Sequence, residues 1–151
     1  MHRKVLAAAI GLFGAVAVAY GADAALPPLD TGLVELGRSV YVKRCASCHG
    51  ARTEGAPGWD RPDAQGEMPA PPHDAEGHTW KHSDAMLYRI VRQGWRDPFN
   101  KTERLTMPGF SGVLSPREVR AVITYLKTLW TPEQRRFQQE ESRNQPFPRD
   151  P

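Results

Sequence analysis

The sequence is short of cysteine, of strand-like alternation and of charge of one sign, and each shortage excludes something. Two cysteines in 151 residues cannot form a disulfide-dense secreted scaffold, so something other than disulfides must help hold the chain together. Twenty basic and 17 acidic residues give a formal charge of +3; without Arg3, Lys4 and Asp23 of the first 24 residues it is +2, too weak a field to argue for nucleic acid. No segment alternates apolar and polar residues over a strand length, and no internal repeat is visible. What is there is one ordinary domain's worth of sequence: 40% apolar, 25% charged and 9% aromatic, with 13 glycines and 14 prolines.

The amino terminus reads as an address. His2, Arg3 and Lys4 precede an apolar run from Val5 to Tyr20, and Ala22-Asp23-Ala24 ends it in the small-x-small pattern of a cleaved secretory signal. The rival reading for residues 1–24 is an uncleaved membrane anchor, since Val5 to Ala22 is roughly the minimum length that spans a bilayer. Cleavage is preferred, because Ala and Gly dominate the run and insert less readily than Leu, Ile or Phe. Either way the following domain faces outward.

The rest predicts an all-α fold. A first helix is expected from Thr31 to Arg44, capped by Asp30 or Thr31, with Leu33, Val34, Gly37, Val40 and Tyr41 on one stripe. Gly37 costs that helix roughly 0.5–1 kcal/mol relative to Ala, so another backbone is expected to pass close by. A second helix should start at Ser83 or Asp84 and stop at Gly94. The third carries the capping box Ser115-Pro116-Arg117-Glu118 and an apolar face from Val119 to Trp130. Between Gly50 and Thr79 lies a long Gly/Pro-rich stretch with no period of either kind. Such a loop argues against a compact domain unless it is functional, and three short helices make a small core; a large apolar cofactor wrapped by the loop resolves both difficulties. A domain over residues 30–131 is therefore expected, followed by a polar, disordered tail over residues 132–151.

Cys45-Ala46-Ser47-Cys48-His49 supplies the cofactor. Two thiols three positions apart at a helix end reach the two vinyl groups of one porphyrin, and the adjacent imidazole is carried under the iron, so Cys-x-x-Cys-His reads as covalent attachment of one haem c. A zinc site would want a second cysteine pair, and a redox dithiol a βαβ setting; neither is present in the sequence. A six-coordinate iron needs a second ligand. Met107, 58 residues after His49 in Thr106-Met107-Pro108, lies off any helical stripe beside a stiffening proline. Met68-Pro69 is the runner-up, while Met86 sits at helical spacing and reads as core.

These features together resemble a class I cytochrome c. The likeness runs from Gly37 to Trp130: Gly37-x-x-x-Tyr41-x-x-x-Cys45-x-x-Cys48-His49-Gly50, then Met107-Pro108-x-Phe110, then Leu114-Ser115-x-x-Glu118 leading into Ile123-Thr124-Tyr125-Leu126-Lys127. The resemblance implies three main helices and long loops around one haem, with first and last helices crossing where Gly37 and Tyr41 meet Tyr125. It implies Cys45 and Cys48 as thioether donors, His49 as proximal iron ligand and Met107 as distal ligand. It implies a proline-loop carbonyl holding the proximal imidazole, for which Pro71 in Ala70-Pro71-Pro72 is the choice and Pro57, Pro62 and Pro69 are rivals. Trp80 is either the family's propionate-binding tryptophan or a plain core aromatic.

The expected function is one-electron transfer by a monohaem cytochrome in the bacterial periplasm, without catalysis, between respiratory partners such as an oxidase, a dehydrogenase or a copper protein. A haem enzyme or gas-binding protein with a labile Met107 is the first alternative. A copper-handling module using His73, His78 and His82 is the second. Lys81, Arg89, Arg92, Arg96, Lys101 and Arg104 form either a docking face for an acidic partner or an ordinary solvated surface.

Overall fold

The structure, a computed structural model, describes residues 25–149. The segment expected to direct export or anchor the chain, residues 1–24, lies outside the described residues. Among the described residues no helix is long and apolar enough to cross a membrane.

Five helices carry the fold: α1 Thr31–Arg44, α2 Ala46–His49, α3 Asp84–Gln93, α4 Pro116–Leu126 and α5 Pro132–Arg143. Each of the longer ones starts on a side-chain cap. The Asp30 carboxylate accepts from Leu33 N at 2.8 Å, and Ser83 Oγ accepts from Met86 N at 3.3 Å. Ser115 and Glu118 form the reciprocal capping box expected of α4, with Pro116 at its first position. The α-helical part of α4 stops at Leu126, earlier than the apolar stripe suggests, and a 3-10 turn over Lys127–Leu129 carries the chain to the buried Trp130.

The core lies where α1 crosses α4. Tyr41, Val119, Val122 and Ile123 are almost fully buried there, and each aliphatic among them contributes about 1.5–3 kcal/mol by leaving water. Gly37 makes the crossing possible. A Cβ at that position would fall 1.9 Å from the Ala121 carbonyl oxygen and 2.8 Å from Tyr125 Cβ, so the two backbones touch where only hydrogen fits. The Tyr41 and Tyr125 rings meet beside it, with centroids 5.6 Å apart.

The disordered tail expected over residues 132–151 is corrected by α5. Thr131 and Gln134 make a second reciprocal capping box, with Pro132 at the first position. The helix docks through polar groups: Gln138, 2% exposed, donates from Nε2 to Asp84 Oδ1 at 2.8 Å, and Ser142 Oγ accepts from Asp84 N at 3.0 Å. Lys127 Nζ reaches the same Asp84 oxygen at 2.6 Å. Beyond the helix, Phe147 packs edge-on against Tyr88.

The long stretch after Gly50 is held by backbone bonds to itself and its neighbours. Gly55 N donates to His49 O and Ala56 N to Ala70 O, both at 2.8 Å, and His73 N donates to Thr53 O at 2.8 Å. Its middle is pinned to the segment before Met107: Lys101 N donates to Gly66 O at 3.1 Å, and Met68 N to Asn100 Oδ1 at 2.6 Å. Among the described residues there is no strand, only an isolated bridge between Trp95 and Met107.

Candidate haem site

Cys45 closes α1, its N–H donating to Tyr41 O at 2.9 Å, and the single turn of α2 follows directly. Cys48 N and His49 N both donate back to Cys45 O, at 3.1 and 2.9 Å, so residues 45, 48 and 49 share one tight turn. Residues three apart on such a turn lie on one face, with Cβ atoms roughly 5–6 Å apart. Cys48 is exposed and Cys45 half-buried, and the two are not joined as a disulfide. Burial, and next the neighbouring Cys48, push the Cys45 thiol up to about 11. Gly50 then turns the chain at φ +85°, and the buried Tyr41 hydroxyl donates to its carbonyl at 2.8 Å.

The His49 imidazole is buried, 6% exposed, and its Nδ1 lies 2.8 Å from the Pro71 carbonyl. A carbonyl only accepts, so Nδ1 carries the hydrogen and the lone pair sits on Nε2. Burial holds His49 below the ordinary histidine value, against the opposing effect of the Pro71 bond, and keeps the ring in the neutral form that binds metals. Pro71 sits between the pairings Ala56 to Ala70 and His73 to Thr53, which fix its carbonyl on both sides. Two cysteine sulfurs on one turn beside a neutral imidazole whose Nε2 makes no bond to Pro71 are the donor set that would hold a haem c.

Met107 is half-buried in the loop between α3 and α4. Its N–H donates to Trp95 O at 3.1 Å and its carbonyl accepts from Trp95 N at 2.9 Å. Gly94, at φ +85°, lets α3 end against it: a Cβ there would lie 2.7 Å from Met107 O. Asn100 Nδ2 donates to Thr106 Oγ1 at 3.1 Å, bracing the residue before Met107. Met68 is half-buried in the loop on the other side of that brace.

Trp80 packs against the core, as the plain core-aromatic reading expects. An indole has one N–H, and that of Trp80 donates to Gly77 O at 2.9 Å while its ring packs edge-on against Phe137 of α5. The copper reading falls. Among the described residues no group of three or more His, Cys, Asp or Glu side chains is placed to hold a metal ion. His78 and His82 meet edge to face, 5.6 Å apart, but His73 turns inward, stacks on His49 and shares a 2.8 Å hydrogen bond with Thr79 Oγ1. Burial, then His49 and His78, hold His73 well below the ordinary histidine value. This contact was missed from sequence; its signal is the position of His73, two residues past Pro71 on the same clamped segment. Of the basic residues read as a docking face, Arg96 is committed to its own loop, donating to Thr102 O and Asn100 O and pairing with Glu103 at 3.2 Å.

The family model for cytochrome c matches residues 34–130. Cytochrome CL from the marine methylotrophic bacterium Methylophaga aminisulfidivorans MPT is similar in structure, at 19% identity and a TM-score of 0.49 over 81% of this chain and 71% of that one. None of the curated proteins matches. With the family match running from before Gly37 through the attachment turn to Trp130, the chain belongs to the cytochrome c family, haem-binding electron carriers whose haem c is covalently attached.

Proposed function

We propose that this chain is a periplasmic one-electron carrier in which Cys45 and Cys48 would hold the haem as thioethers, and His49 through Nε2 and Met107 through its sulfur would bind the iron. The observation that carries this reading is the 2.8 Å bond from His49 Nδ1 to Pro71 O, which leaves Nε2 as the only nitrogen free for iron. The bound haem supplies the Fe(II)/Fe(III) couple. The side chains set its poise: the Pro71 carbonyl makes His49 a stronger base, and imidazole with thioether ligation favours the ferrous state. If His49 and Met107 both held the iron, no position would be left for a substrate, and the chain would act as a carrier and not as an enzyme. The basic-apolar-small pattern of residues 1–24 supports export. An oxidase, a dehydrogenase or a copper protein is the redox partner, docking at the haem edge near the attachment turn over residues 45–49.

The visible spectrum of the haem-loaded protein and of Met107→Ala tests the reading. The expected result is a reduced α-band of c type with a weak sulfur-to-iron band toward the red when oxidised. Met107→Ala should lose that band, lower the reduction potential and admit carbon monoxide to the reduced protein. Rapid carbon monoxide binding by the unaltered protein would favour the gas-binding alternative. An unmoved potential in Met107→Ala would remove Met107 from the iron and turn attention to Met68.

A further inference from the structure

We propose that His73 is a positioning residue, a second imidazole stacked on His49 that fixes the plane in which His49 presents Nε2 to the haem iron. The role rests on the reading of His49 as an axial ligand. The two rings lie with centroids 4.1 Å apart and 29° between their planes, a stacked pair. One hydrogen bond does not set a ring plane by itself, because a carbonyl oxygen accepts over a broad range of directions. The bond to Pro71 therefore pins one atom of His49, and a flat partner on the ring face removes the swing that remains.

His73 is itself held from four sides. Its N–H donates to Thr53 O at 2.8 Å, and its carbonyl accepts from Trp130 Nε1 at 3.0 Å. Its Nδ1 lies 2.8 Å from Thr79 Oγ1, and its ring meets Tyr41 edge-on with centroids 6.3 Å apart. The anchors come from α1, from the 3-10 turn over Thr79–Lys81, from the loop after Gly50 and from the residue following α4's 3-10 extension. A leucine would fill the same space but offer no plane. The chain therefore delivers two functional groups from one clamped segment: the Pro71 carbonyl for the edge of His49 and the His73 ring for its face.

In ferric haem the plane of the axial imidazole governs how unpaired spin spreads over the porphyrin, and the spread is read in the shifts of the haem methyl protons. The test compares these shifts in the haem-loaded full chain with those of His73→Leu, His73→Phe and Thr79→Val. His73→Leu should reorder or broaden the methyl resonances while the sulfur-to-iron band persists, and His73→Phe, which restores a flat ring, should return them toward the parent pattern. A parent-like pattern in His73→Leu overturns the role. So does a pattern in His73→Phe as altered as that of the leucine variant, since flatness would then not matter. If His73→Leu fails to yield haem-loaded protein, Thr79→Val decides: a changed pattern supports the role and a parent pattern overturns it. A parent protein without histidine ligation overturns the ligation itself and this role with it, whereas a histidine-ligated parent with an unmoved leucine variant overturns the role alone.

Discussion

The Pro71 carbonyl and the His49 imidazole, 22 residues apart in sequence, meet at 2.8 Å. The contact decides which nitrogen of His49 carries hydrogen, and it exists because the loop between them is stapled at both flanks of Pro71. A stretch with many glycines and prolines and no periodicity is thus a built element with a chemical task.

Gly37→Ala should destabilise the haem-loaded protein by about 3 kcal/mol, the upper end of what overpacking commonly costs, because the new Cβ meets the Ala121 backbone carbonyl. Shrinking a side chain on α4 cannot relieve that collision. Ser39→Ala, on the exposed side of α1, should change stability by less than about 0.5 kcal/mol. Denaturant unfolding of the two variants compares them directly.

Asp84→Ala should cost about 3–5 kcal/mol and release α5. The substitution leaves Lys127, itself largely buried, without its carboxylate and removes one of the acceptors of Gln138, whose other partners are His82 O and Ser142 Oγ. Limited proteolysis should then cut within Pro132–Arg143 under conditions that leave the parent intact. A variant as resistant as the parent would mean that the bonds the substitution spares, such as those from the backbone N–H at position 84 to Ser142 Oγ and from Gln134 Nε2 to Ala75 O, hold the helix together with the apolar contact of Phe137.

Acid should weaken the fold through His82. Burial, then His78 and Lys81, hold this histidine below its ordinary 6.5, so the unfolded chain takes up a proton there before the folded one does. The stability associated with neutral His82 is intact above about pH 6.5 and declines as pH falls from there toward the folded value. His82→Gln keeps the backbone carbonyl that accepts from Gln138 and should make the decline below about pH 6.5 shallower, the rest belonging to His49 and His73. An equally steep decline in both proteins would assign it elsewhere.

What was legible in the sequence was what nearby residues decide. The attachment turn and α4 are visible because cysteine spacing, the Ser115–Glu118 box and an apolar stripe all act within a few positions. α5 carries the same kind of box, Thr131 with Gln134 and Pro132 between, yet reads as tail because its buried face is Gln138 and Ser142. Those polar residues are buried only because Asp84, far away in the chain, provides partners for them. The Trp80 bond to Gly77 O is hidden for a related reason, since nothing in the spacing reveals which carbonyl the indole meets. His73 looks like one of three loop histidines until the loop's folding lays it on His49.

The seam between Gly66–Met68 and Asn100–Lys101 ties the length of the Gly/Pro-rich insert to the far side of the molecule. Asn100 grips Met68 on one side and Thr106 on the other, so the insert acts as a strut whose end bears on the neighbour of Met107. A graft that trims this loop would therefore loosen Met107, about 40 positions downstream of the trimmed residues.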